Sequence, residues 1–143
     1  MISRIQKAKE SEGFTLIELL VVMIIIGILA AIAIPLFLNQ RLKAEDSATK
    51  SDVSKVGKEI ATYFVDGTGA LSTITGPQGG SYTIGFTVGD DVDAGVVSNH
   101  VTVDVETAGS DSTDWVICGT NSVDDTKSYT YSAAGGLQET TSC

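Results

Sequence analysis

Polar and apolar positions divide the chain into stretches with different periods. Residues 19–38 are twenty consecutive positions without a charged side chain, about the length that crosses the hydrocarbon of a bilayer. After residue 39, Val53, Val56, Ile60 and Phe64 recur at steps of three and four, the apolar stripe of an amphipathic helix. Lys50, Lys55, Lys58 and Glu59 fall mostly off that stripe. The two patterns predict one helix over residues 14–64. Gly27 and Pro35 are expected to interrupt it, with a kink or a locally melted stretch near Pro35, or else a simple bend, since proline removes a helical hydrogen bond and clashes with the turn before it. Asp46 and Lys50, four apart in the favourable order, predict a surface ion pair. Beyond residue 65 the period becomes two. Tyr82, Ile84, Phe86 and Val88 alternate with smaller or polar residues, as do Val101, Val103 and Val105, a short apolar run fills 115–118, and Tyr129 and Tyr131 alternate with Ser128 and Thr130. This predicts three or four antiparallel strands, one face on the helix and one face wet. The Gly-rich stretch 66–80 reads as the loop from helix to sheet, and 133–136 as a turn before the tail. The expected fold class is α+β: a long N-terminal helical spine, its first half transmembrane, packed on a small antiparallel β-sheet head.

Charge sharpens this picture. The chain has 143 residues and a formal net charge of −9, with room for about one domain. Residues 61–143 hold eleven acids against one base, Lys127. Such a surface repels phosphate backbones, which argues against nucleic-acid binding by the head. Little else points to chemistry. There is one histidine and there are two cysteines, so no closely spaced four-ligand zinc set exists. No nucleophile elbow, HExxH motif or phosphate loop is present, and no catalytic residue or cofactor is expected. His100 reads as an exposed strand histidine beside Thr102 and Asp104. Asp90, Asp91 and Asp93 precede Gly95 but lack the spacing of an EF-hand loop. A solvated turn is the plainer reading of these weak metal candidates, to which Asp111 and Asp114, or Asp124 and Asp125, would add oxygens. Cys118 and Cys143 read as one disulfide in an exported chain and as two separate thiols in a cytosolic one.

Three readings compete for the N-terminus, where Arg4, Lys7 and Lys9 precede the apolar run. It is a secretory signal cut after Ala33, a plain membrane anchor, or an anchor processed before the apolar run. The run Gly13-Phe14-Thr15-Leu16-Ile17-Glu18-Leu19-Leu20, after a short basic leader and before the apolar span, resembles the type IV prepilin signal. Type IV pilins and the pseudopilins of type II secretion share that signal. The resemblance is close over about residues 1–65 and architectural beyond them. It implies that a membrane-embedded prepilin peptidase removes residues 1–13 by cutting between Gly13 and Phe14, and that Phe14 is then N-methylated. Residues 14–38 would be the transmembrane and later filament-core half of the helix, 39–65 its amphipathic half, and 66–143 an acidic head with a disulfide-bounded region at 119–142. Glu18 would pair with the Phe14 amine of a neighbouring subunit, or would cap its own helix start. The implied partners are copies of the chain and related pilins, the peptidase, the assembly platform in the cytoplasmic membrane, and the membrane itself. The implied location is that membrane before assembly and an extracellular filament after it. A pseudopilin of a secretion or DNA-uptake system is the alternative, and a membrane-tethered cation-binding domain a further one.

Overall fold

The structure, a computed structural model, describes residues 13–109, 111–123 and 126–143. The leader charges Arg4, Lys7 and Lys9, and the acids Asp124 and Asp125, lie outside the described residues. The chain forms two compact units that part between Leu38 and Asn39.

One helix, α1 (Leu16–Tyr63), contributes to both units. Up to Leu38 its large apolar side chains are all exposed, and a window of mean hydropathy 3.1 has none of its residues buried. By length and composition this stretch is able to cross a membrane. The helix continues through both Gly27 and Pro35, so neither residue melts it, which corrects the break expected there. Proline removes only one donor. The neighbouring peptide groups, flanked by apolar side chains with no polar partner, keep their own i to i−4 bonds.

From Asn39 onward α1 turns one face to a sheet layer. Val53, Val56 and Ile60 are fully buried on it, as the stripe predicts, and Phe64 just beyond the helix packs against the same core. The stripe also takes in Thr49, Asp52 and Gly57, all buried. Asp46 does not pair with Lys50. It accepts from the Tyr129 hydroxyl at 2.8 Å and from Lys127 Nζ at 3.4 Å, while Lys50 Nζ lies 6.0 Å from the centre of the Tyr129 ring.

The strands form two antiparallel sheets rather than one. The first has the order β1 (Leu71–Thr75), β2 (Ser81–Phe86), β3 (Val92–Val96). The second has the order β4 (Val101–Thr107), β5 (Val116–Asn121), β6 (Ser128–Ser132), β7 (Gly136–Thr140). Leu71 N–H donates to the Gly109 carbonyl at 3.1 Å and ties the first sheet to the end of β4. The expected strands correspond to β2, β4, β5 and β6. Three more lie where loops were expected, within 66–80, at the acidic stretch, and after the 133–136 turn. Each offers few inward apolar side chains: Leu71 and Ile74 in β1 about a register shift, Val92 and Ala94 in β3, and Leu137 in β7. His100 is corrected too. It sits in the turn before β4 with φ +66°, a left-handed backbone rare outside glycine.

Helix and sheet approach so closely that two contact positions admit no side chain. A β-carbon at Gly57 would overlap the Tyr131 ring, and one at Gly119 would overlap a methyl of fully buried Val53. Alanine in a strand is otherwise favoured over glycine. Here Gly119→Ala is expected to lower stability by about 1–3 kcal/mol, the usual cost of overpacking. A depressed thermal midpoint of the full chain in detergent checks this, and an unchanged or raised midpoint contradicts it.

Candidate functional site

The residues singled out at the N-terminus share one exposed segment. A β-carbon added at Gly13 would meet nothing within 4 Å, and Phe14 is 79% exposed. The junction between them is therefore open on all described sides. Thr15 caps α1. Its Oγ1 accepts the Glu18 N–H at 3.2 Å, and its own N–H and hydroxyl donate to Glu18 Oε2 at 3.4 and 3.2 Å. Thr15-Leu16-Ile17-Glu18 is thus a reciprocal capping box. The carboxylate also faces the positive end of the helix dipole. Within one chain Glu18 caps its own helix, the second of the two roles the sequence offers. Leu16, Leu19, Leu20, Met23 and Ile24 continue from it as a shallow apolar groove. Beyond the groove lies the open surface of Gly27, where an added β-carbon would also meet nothing within 4 Å.

The other candidates lie on the β-rich unit. Asp90, Asp91 and Asp93 are exposed. Asp93 Oδ1 accepts the Gly95 N–H at 2.7 Å, a local turn contact. Among the described residues, no three His, Cys, Asp or Glu side chains are grouped to hold a metal ion. Cys118 and Cys143 form a disulfide with Cα atoms 5.7 Å apart. Cys118 lies opposite Asp104 of β4 and Thr130 of β6. The bridge holds the end of the chain to the middle of the second sheet.

Sequence reading missed a polar seam between α1 and the sheets. Asp52, 1% exposed, accepts from Tyr82 Oη at 3.1 Å, Ser98 N–H at 2.8 Å and Ser98 Oγ at 3.0 Å, and pairs with Lys55 Nζ at 3.2 Å. Lys55 donates in turn to the Val96 carbonyl at 2.6 Å. One turn earlier, Asn121 Nδ2 donates to Thr49 Oγ1 at 3.2 Å and Glu45 Oε2 at 3.3 Å, and Glu45 Oε1 lies 3.4 Å from His100 Nδ1. Burial, and then the Asp52 carboxylate beside it, push the Tyr82 phenol well above its ordinary pKa. Burial and Asp46 do the same to Tyr129. Lys127, between Glu139 and Asp46, is held more firmly protonated than usual. The available signal was that Thr49 and Asp52 continue the spacing of Val53, Val56 and Ile60.

Comparison with known proteins returns to the N-terminus. Residues 9–34 match the family described as the prokaryotic N-terminal methylation motif. A fimbrial protein of Pseudomonas aeruginosa is 40% identical over 79 residues, 55% of this chain and 51% of that protein. The type IV major fimbrial protein FimA of Dichelobacter nodosus is 42% identical over 54% of this chain and 51% of its own length. The type II secretion system core protein G of P. aeruginosa is 34% identical over 48% of each. The chain spans about half the length of the curated relatives it matches. No solved structure matches it. Over about half its length the chain is thus similar to type IV fimbrial proteins and to a type II secretion core protein, and its N-terminus carries the methylation motif.

Proposed function

We propose that the chain is the structural subunit of a type IV pilus filament and polymerises through its apolar N-terminal helix. The observation that carries this is an apolar helical segment up to Leu38 whose large side chains are all exposed and which follows an open Gly13-Phe14 junction within the methylation motif. In water such a surface is unstable. In a bilayer it is satisfied by lipid, and in a filament by the same helix of other copies. A membrane peptidase cuts between Gly13 and Phe14, and Phe14 is methylated. The subunit waits in the cytoplasmic membrane until the assembly platform extracts it into an extracellular filament of itself and related pilins. Cleavage creates a cationic amine at Phe14. Glu18 pairs with the amine of a neighbour, since a carboxylate drawn into an apolar bundle needs a positive partner.

Intact mass and N-terminal sequence of the protein from its cells test this. The expected chain starts at Phe14, with one added methyl group and with two hydrogens missing at the cysteines. A chain starting at Ile34 would be a secreted soluble protein and would overturn the proposal. Glu18→Ala is expected to be cleaved normally and to reduce filament yield to background. Its capping loss alone, about 1 kcal/mol in a long helix, is too small for that outcome. The second reading, a pseudopilin, is favoured by the match to core protein G. Microscopy separates the two: abundant surface filaments for a pilin, scarce material confined to the envelope for a pseudopilin.

A further inference from the structure

We propose that copies of this chain meet through unlike charges. The cationic flank of α1 on one copy sits against the outer face of β4 on the next. This inference rests on the filament reading and adds the surface through which neighbouring β-rich units register.

Lys43, Lys50 and Lys58 of α1 are exposed, and none makes an ion pair among the described residues. The other two lysines after residue 38 are engaged: Lys55 with Asp52, and Lys127 with Asp46 and Glu139. Lys58 lies on the side of the helix away from buried Val56 and Ile60, and lines a shallow depression with Ser51, Ser54, Lys55 and Glu59, two cations against one acid. Lys50 Nζ lies over the Tyr129 ring, 6.0 Å from its centre, at the outer limit of a cation–π contact.

The opposite charge is on the far side of the second sheet. Val101 and Val103 of β4 are buried, and Val103 borders Gly119 where that residue meets Val53 of α1. Strand alternation therefore turns Thr102 and Asp104 away from the helix; Glu106 follows at an irregularity in the β4–β5 register, and all three are exposed. Neither Asp104 nor Glu106 has an ion-pair partner among the described residues. The cations and the anions thus occupy opposite sides of the Asn39–Cys143 unit. A single copy cannot bring them together, whereas a second copy can. A contact between unlike faces is heterologous, and unless its rotation closes a ring it adds copies without limit. Complementary charge also steers approach and sets register more than it sets affinity.

Charge reversal tests this in the full chain. Three variants are compared: Lys50→Glu with Lys58→Glu, Asp104→Lys with Glu106→Lys, and all four together, which restores the wild-type net charge. The readouts are filament mass from assembly-competent cells and salt-dependent sedimentation of the full chain in detergent. Each double variant is expected to lose filament mass by about tenfold or more and to lose salt-sensitive association. The quadruple variant is expected to recover both. All of these positions are exposed, so an unchanged thermal midpoint verifies that each variant folds. Two outcomes overturn the inference while leaving the filament reading standing: wild-type filaments from both double variants, or a quadruple variant no better than the acidic-face double, which would assign that face to another basic partner. Absence of wild-type filaments together with charge-swappable association in detergent removes the filament reading and keeps the contact.

Discussion

Asp52→Ala is expected to lower the stability of the β-rich unit by about 3–5 kcal/mol, the usual result of removing one member of a buried charged cluster. The carboxylate is the acceptor for three donors and the counter-ion of a lysine, at 2.8–3.2 Å. Truncation leaves the Tyr82 hydroxyl and the Ser98 N–H buried without an acceptor, and each such loss is costly by itself. The partners lie 30 and 46 residues away in the chain. The cluster therefore fastens β2 and the β3–β4 connection to the helix, and the loss is felt by both. Against the 5–15 kcal/mol typical of a domain, this places the variant near unfolding. The single tryptophan, Trp115, is 1% exposed, so its fluorescence follows urea unfolding of the full chain in detergent. Asp52→Asn keeps an acceptor and is expected to lose less. A loss under about 1 kcal/mol for the alanine variant, the range of an exposed pair, would refute the assignment. The raised phenols of Tyr82 and Tyr129 add a pH signature. Tyrosines of the unfolded chain ionise near pH 10 while these two stay protonated in the fold. Their contribution is whole below that pH and is lost as pH rises past it, and in Asp52→Ala this alkaline loss should shrink.

Removing the disulfide has the next largest expected effect. Cys118 and Cys143 are separated by 25 residues, and opening a loop of that size costs about 3 kcal/mol in the chain-entropy description. For a domain of this size that corresponds to roughly 10–20 °C in the thermal midpoint. Cys118 is 2% exposed, so the freed chain end also uncovers sheet surface between Asp104 and Thr130. Cys143→Ser and chemical reduction of the wild type should lower the midpoint by the same amount, and reductant should do nothing further to the variant. Equal midpoints for the variant and the oxidised wild type would show that the bridge carries no stability in solution.

What the sequence made legible follows from which interactions leave a periodic trace. Val53, Val56 and Ile60 announce the buried face of α1 because burial is apolar there and the period is fixed by helix geometry. β2 and β4 announce themselves by three alternating apolar residues each. β1, β3 and β7 do not, because sheet pairing at an edge needs only backbone groups and one or two inward side chains. Gly95 in β3 has φ +81°, a residue that reads as a turn in one dimension. The polar seam was invisible for a different reason. Burying Asp52 or Thr49 is favourable only where distant partners complete the hydrogen bonds, and Tyr82, Ser98 and Asn121 reach them through tertiary structure alone. At the N-terminus the motif Gly13-Phe14-Thr15-Leu16-Ile17-Glu18 was legible as a resemblance and Glu18 as a cap of its own helix start, whereas the part Thr15 plays in that cap emerged only from the structure.

The strand order has a kinetic consequence. Every ladder in both sheets joins strands that are neighbours along the chain, so each hairpin closes a short loop and none waits for a distant segment. Contacts of low sequence separation are the ones that form fastest. The main long-range step is docking of the two meanders onto Val53, Val56 and Ile60, with Asp52 locking the seam. A chain built this way is able to assemble hairpin by hairpin as it emerges, within milliseconds to seconds. Oxidation of the two thiols, on a scale of seconds to hours, then becomes the slow event that sets when the unit reaches its full resistance to unfolding.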